Sequence, residues 1–144
     1  MHGGFVAETA IREMVRVGLA PKSSNVVVLG ITFKENCPDV RNSKVYDIVM
    51  RLKEYGVEPS VVDPWASGDE VKQVYGMQLR ESGDIANADC LIVAVAHDEF
   101  KELGFERIDC FLRRQARRKQ GAFGMLKEYW TRKCFSSYGS FWRL

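Results

Sequence analysis

The sequence predicts an α/β fold, a parallel sheet with flanking helices preceded by one N-terminal helix, and three observations carry that reading. Short apolar runs, Val26 to Leu29 and Cys90 to Ala96, alternate with stretches whose apolar residues recur at helical spacing. Neither run shows the in-and-out alternation of a half-exposed strand, so both suit strands buried on both faces of a parallel sheet. The resulting β-α-β-α-β order implies right-handed crossovers, and nothing in the chain repeats internally.

The elements follow in order. Phe5 to Gly18 reads as a helix, because Val6, Ala10, Met14 and Val17 share one face and Gly18 can terminate it. Pro21 to Ser24 is a short linker. Val26 to Leu29 forms the first strand and ends in Gly30. After a charged loop, Asn42 or Ser43 can N-cap the next helix, in which Val45, Ile48, Val49 and Leu52 give the i, i+3, i+4, i+7 stripe before Gly56 stops it. Pro59 to Asp63 is the second strand. A short helix from Asp69 to Tyr75 precedes Gly76, a weak strand lies near Met77 to Leu79, and Glu81 to Asn87 is a further short helix. Asp89 to Ala96 is the third strand.

Composition limits what the chain can be. At 144 residues, with 46% hydrophobic and 28% charged residues, it has the content of one globular domain and not of a disordered or membrane-spanning chain. Its apolar runs are too short to cross a bilayer and its first residues show no signal-peptide pattern, so the cytoplasm is the expected location and no membrane partner is expected. Cys37, Cys90, Cys110 and Cys134 form no C-x-x-C and have no histidine at metal spacing, which points to reduced thiols and not to zinc or a disulfide framework. The net charge of +2 is unevenly spread. Arg113, Arg114, Arg117, Arg118, Lys119, Lys127, Arg132 and Lys133 face a single acid, Glu128, across one segment, and the rest of the chain is net acidic. Such a block can contact nucleic acid electrostatically, but a solvated segment is the commoner meaning and no nucleic-acid motif accompanies it.

The loop after the first strand holds the chemistry. In open α/β sheets ligands bind outside the carboxyl ends of the strands, so Lys34 and Arg41 are placed for an anion. A dinucleotide site would show G-x-G-x-x-G here. The chain has only Gly30 followed by Ile-Thr-Phe-Lys, so phosphate has to be met by side chains.

Gly30, Phe33, Lys34, Asp39, Arg41 and Ser43 are spaced as G-x-x-[FY]-K-x-x-x-x-D-x-R-x-S. In this the segment resembles the C-terminal domain of the UDP-glucose/GDP-mannose dehydrogenase family. The Glu-Asn-Cys-Pro-Asp filling looks most like the branch that oxidises UDP-N-acetylhexosamines such as UDP-N-acetylmannosamine or UDP-N-acetylgalactosamine. The likeness runs from about Phe5, through Val62-Asp63-Pro64-Trp65 and the Ala94 to Phe100 loop, to about Leu112, and returns in Phe141-Trp142-Arg143-Leu144.

The resemblance implies a Rossmann-like domain that binds the UDP moiety of a nucleotide sugar. It also implies an NAD-dependent 6-dehydrogenase, in which the first domain holds NAD and a cysteine in a G-F-G-G-x-C-[FL]-P-K-D type motif traps the aldehyde. This sequence contains neither that motif nor the Gly-rich fingerprint, so the chain is expected to be a fragment or split subunit inactive alone, with no catalytic residue of its own. Cys37 is not taken as the nucleophile. The domain division that follows is 1–22 as the end of a central connecting helix, 23–112 as the nucleotide-sugar domain and 113–144 as a divergent basic tail. The family's next strand, expected after Leu112, is not recognisable in Arg113 to Gly121.

By the same resemblance Phe33 and Lys34 bind substrate, Lys34 as a point charge for a diphosphate, Arg41 reaches the cofactor side and Asp39 orients the loop. For Arg41 an ion pair with Asp39 or Glu35 is the competing role; for Phe33, a place in the core. His97 either lines the crevice or is structural, and Trp65 packs the sheet end or stacks a base. The expected partners are a UDP-sugar, NAD-binding and central domains supplied in trans, and further copies of the chain, because the Val6, Ala10, Met14, Val17 face is expected to be bare. The alternative is a non-catalytic interaction or nucleic-acid-contacting scaffold that uses the basic tail.

Overall fold

The computed structural model describes residues 3–16, 20–81, 89–95, 97–99, 122–125 and 141–143, with backbone alone at 3–6, 13, 16, 122–125 and 141–143. In chain order they form α1 (Gly3–Arg16), a single 3-10 turn (Pro21–Ser23), β1 (Val26–Leu29), α2 (Val45–Glu54), β2 (Ser60–Val62), α3 (Gly68–Tyr75), β3 (Cys90–Val93), β4 (Ala122–Met125) and β5 (Phe141–Arg143). The strands make one parallel sheet in the order β2-β1-β3-β4-β5. This is the predicted Rossmann-like α/β fold.

The all-apolar strands are explained by burial on both faces. Val26, Val28, Val61, Cys90 and Ile92 join one core with Ala10 and Met14 of α1, Ile48, Val49 and Leu52 of α2 and Val71 of α3. Their neighbours Val27, Leu29, Val62, Leu91 and Val93 point the other way and are buried too. The stripe Val45, Ile48, Val49 and Leu52 is the buried face of α2, as its spacing predicts. Ser43 assists the helix start by accepting the Val45 N–H (3.2 Å), although Lys44 occupies the capping position. Ser67 caps α3 through the Glu70 N–H, and Gly76 ends it in the left-handed conformation at φ 68.

Three expectations need correction. Ala10 and Met14 are fully buried in this chain's own core and α1 packs along α2, where Arg51 is ion-paired with Glu8. That face is not bare, so it offers no argument for self-association. The side chains of Val6 and Val17 lie outside the described residues. The sheet does not stop at β3, since β4 pairs with it from Cys90 opposite Ala122 to Val93 opposite Met125, and β5 pairs with β4. A strand therefore does follow Leu112, displaced past the charged run to the small and apolar Ala-Phe-Gly-Met. The weak strand near Met77 to Leu79 is only an isolated bridge between Leu79 and Val61. The helix expected over Glu81 to Asn87 falls, from 82 on, outside the described residues.

Cys90 lies wholly inside the sheet, and burial together with the neighbouring Asp89 charge pushes its thiol far above the ordinary range. Cys37, on the β1 loop, is only half-buried. Since the thiolate is the nucleophile, a thiol reagent at neutral pH should label Cys37 in the native protein and Cys90 only after denaturant is added. Peptide mapping of the labelled chain checks this, and native labelling of Cys90 would show that the sheet interior is open.

Candidate functional site

The carboxyl ends of β2, β1 and β3 lie side by side, and one buried network joins the loops that leave them. Gly30 ends β1 at φ +101, and a Cβ there would stand 2.6 Å from Val95 Cβ and 2.9 Å from Val95 N. Only glycine allows the β1 loop to leave so close to the end of β3. Asp63, at the end of β2, receives the loop. Its Oδ2 accepts the N–H groups of Ile31 (2.7 Å) and Thr32 (3.1 Å) and lies 2.9 Å from His97 Nε2. Its Oδ1 accepts those of Trp65 (2.7 Å) and Ala66 (3.2 Å). Burial works to raise the Asp63 pKa, but the hydrogen bonds from His97, Ile31 and Trp65 outweigh it, and the carboxyl is held below its ordinary value.

His97, which follows β3, is fully buried. Its Nδ1 accepts the Asn36 N–H (2.9 Å) and its Nε2 lies 3.0 Å from Thr32 Oγ1. Trp65 lies against the imidazole, ring centroids 6.0 Å apart and planes 21° from parallel, and its indole N–H donates to Glu99 (2.7 Å). Of the two roles open to each residue, the fully buried His97 has the structural one and Trp65 packs on it. At the far end of the loop the Tyr75 hydroxyl donates to the Val40 carbonyl and accepts the Ser43 N–H (3.0 Å), while its ring stacks on Tyr46.

Between these anchors the loop closes on itself through the Phe33 N–H and the Asp39 carbonyl, 2.7 Å apart. Phe33 is 58% exposed, which removes it from the core. Lys34 is exposed, and among the described residues no ion pair engages its ammonium. Arg41 is also exposed, at 73%, but is held by Asp39 through Nε to Oδ1 (3.0 Å) and Nη2 to Oδ2 (3.2 Å). The hydrogen bonds from the Arg41 side chain and backbone lower the Asp39 pKa, and the same partner raises that of Arg41. The loop thus presents one unengaged cation beside an exposed aromatic ring, and a second cation already paired.

A dinucleotide would need the first N–H groups of the β1 loop for its pyrophosphate and an outward-facing acid at the end of β2 for a ribose. Here Asp63 takes the N–H groups of Ile31 and Thr32 for itself. The acid is turned inward and fills the anion position, so these residues do not fit NAD held in that manner. Among the described residues, no group of three His, Cys, Asp or Glu side chains is arranged to hold a metal, and no helix is long and apolar enough to cross a membrane.

A profile of the UDP binding domain of the UDP-glucose/GDP-mannose dehydrogenase family matches residues 27–118, more than half of the chain. The chain belongs to this family. Within it, the chain is 39% identical over 109 residues to the UDP-N-acetyl-D-glucosamine 6-dehydrogenase of Salmonella typhi, covering 76% of this chain and 26% of that one. To the enzyme of that name from Pseudomonas aeruginosa it is 40% identical over 106 residues, 74% of this chain and 25% of the other. Among solved structures, the UDP-D-ManNAc dehydrogenase of Pyrococcus horikoshii shares the fold with a TM-score of 0.67 at 21% identity, over 85% of this chain and 26% of its own. The chain therefore spans about a quarter of the length of these relatives. The match covers the whole β1 loop and the ends of β2 and β3, which makes the network above part of a UDP-binding domain of this family.

The sequence reading named the exposed residues of the loop and missed its internal framework. From the sequence, Asp63 is only the end of the second strand, His97 has a crevice-lining or a structural role, and nothing marks Tyr75 or Asn36 for the site. The available signal was positional: Asp63 and His97 both follow strands that pair with β1, and so had to converge on its loop.

Proposed function

We propose that the chain binds the UDP moiety of a UDP-N-acetylhexosamine at the carboxyl ends of β1 to β3, with Lys34 on the diphosphate and Phe33 against the nucleotide. In this reading it is the nucleotide-sugar domain of an NAD-dependent UDP-sugar 6-dehydrogenase, which turns the sugar C6 alcohol into a carboxylate. The observation that carries the reading is the exposed Phe33–Lys34 pair on a loop whose backbone is fixed at both ends and in the middle. A lysine free of ion pairs on a preformed backbone meets a diphosphate without first breaking another contact. The names of the relatives add the glucosamine epimer to the mannosamine and galactosamine sugars already expected.

The remaining groups of the reaction lie outside this sequence in this proposal. NAD is held by other domains, the trapping cysteine is theirs, and Arg41 extends toward the cofactor side. Further copies of the chain and the missing domains in trans are the partners proposed. What this chain does is bind and orient: Lys34 neutralises phosphate charge, Asp39 keeps Arg41 splayed along the loop, and Asp63 keeps the loop root closed. The pure chain is expected to form no NADH from NAD and any UDP-sugar, and measurable NADH would refute the assignment of the chemistry to other domains. The scaffold alternative rests on the basic segment, and β4, which lies inside that segment, is part of the sheet.

Binding by this domain alone should be weak, with a Kd of roughly 0.1 to several millimolar, because it offers one part of a cleft. Lys34→Ala should weaken UDP further by about 1 to 2 kcal/mol, the loss of a charged hydrogen bond. Arg41→Ala should matter less, since its guanidinium is already spent on Asp39. Calorimetric titration of the three proteins with UDP checks the order, and an Arg41→Ala loss exceeding that of Lys34→Ala would reverse the roles.

A further inference from the structure

We infer that His97 is the positioning residue of this site: a single tautomer of its buried imidazole latches the middle of the β1 loop, and nucleotide affinity at Phe33 and Lys34 depends on that latch. The inference rests on the binding reading above for its second half and on geometry alone for its first.

The loop root is tied to Asp63 and its far end to Tyr75, so its middle, Phe33 to Asp39, needs an anchor of its own. Asn36 supplies the contact. It stands at φ 55, in the left-handed region that asparagine tolerates, and is gripped from two sides. Its N–H donates to His97 Nδ1 (2.9 Å), and its Oδ1 accepts the Asp98 N–H (2.9 Å).

The donor at Asn36 fixes the proton on the ring. Nδ1 accepts and so carries none, which leaves the proton on Nε2, where Asp63 Oδ2 (2.9 Å) and Thr32 Oγ1 (3.0 Å) face it. Thr32 spends its hydroxyl proton on the Lys34 carbonyl (3.0 Å), so its oxygen is left to accept from the ring. His97 is in this way one residue removed from the backbone of Lys34. The other tautomer would set Nδ1–H against the Asn36 N–H and a bare Nε2 against the Asp63 carboxylate. Both contacts would be repulsive, and the imidazole itself is fully buried with Trp65 stacked beside it.

The test uses the full chain. Nitrogen-15 NMR of the imidazole without ligand should show His97 with a protonated Nε2 and a bare Nδ1. Protonation at Nδ1 at neutral pH would overturn the latch. Two variants then separate the ring nitrogens. His97→Asn keeps an acceptor in the place of Nδ1, whereas His97→Gln keeps a donor in the place of Nε2 and leaves the Asn36 N–H unpaired. The Asn36 amide should stay protected from exchange in His97→Asn, with UDP affinity within about threefold of the parent. In His97→Gln it should exchange freely, with affinity reduced about tenfold. Equal UDP affinity in the parent and both variants would overturn the inference while leaving the binding reading intact, and a parent that shows no response to UDP would sink the binding reading while the tautomer still decides the latch. Should either variant fail to fold, the parent alone decides the latch: its Asn36 amide should be protected from exchange by the bond to His97 Nδ1, and an Asn36 amide that exchanges freely would overturn it.

Discussion

Replacing Asp63 by alanine is expected to lower the unfolding free energy by about 3 to 5 kcal/mol, a large share of what a chain of this size possesses. The cause is not the loss of an ion pair as such. Removing the carboxylate strands the buried N–H groups of Ile31 and Thr32 and the His97 Nε2 proton, and takes the acceptor from the part-buried N–H groups of Trp65 and Ala66. Asp63→Asn should cost less, because its one carbonyl oxygen can still serve either the Ile31 side or the Trp65 side while its amide faces donors on the other. The pH dependence follows from the lowered pKa of this group. Because the folded value lies below the unfolded one, the contribution of Asp63 is present in full above the ordinary carboxyl range near pH 4. It is withdrawn below that range and lost once the pH has fallen through the folded value. Urea unfolding of the parent and Asp63→Asn from pH 7 downward checks the sign: the gap between the two proteins should close in acid, and a gap that widens would contradict the assignment.

The second large effect is at Gly30. Gly30→Ala is expected to destabilise the chain by about 3 kcal/mol or more, since strain at a positive φ adds to a collision. The nearest atom is the Val95 side chain at 2.6 Å, which can shift, but the Val95 backbone nitrogen at 2.9 Å, just past β3, is held by its bond to the Leu29 carbonyl. A fall in melting temperature of roughly 10 °C should result, measured by circular dichroism. An unchanged midpoint would mean that the β1 and β3 ends do not approach as closely as described.

Which parts of this architecture were legible in the sequence follows from the range of the forces involved. The strands Val26–Leu29 and Cys90–Val93 and the stripe of α2 were visible because burial on a regular element imposes a period on neighbouring residues. β4 was not, because Ala-Phe-Gly-Met is too short and too mixed to announce itself beside a run of arginines. The bare face assigned to α1 was wrong for a different reason. An amphipathic period shows that a face is covered but not by what, and here α2 and the sheet cover it. In the site, Lys34 and Phe33 were readable as a motif, and Arg41 was readable only as two alternatives, of which the ion pair with Asp39 is present. The long-range bonds of Asp63, His97, Asn36 and Tyr75 join residues 31 to 65 positions apart, and no local pattern records such a distance.

That framework accounts for why a sheet of this class does without a glycine-rich phosphate loop. An internal carboxylate takes the place of the anion at the loop root, and the loop instead carries a lysine outward. The family profile locates the UDP-binding domain over the same residues.

The central claim, that the Gly30 to Ser43 loop receives the UDP moiety, is tested most directly by titrating the nitrogen-15-labelled chain with UDP, uridine and inorganic phosphate and following its amide shifts. UDP is expected to move the amides of Phe33, Lys34 and their neighbours between Gly30 and Ser43, with uridine and phosphate each moving a part of that set more weakly. Shifts confined to residues outside this loop and the ends of β2 and β3, or no shifts with UDP at several millimolar, would contradict it.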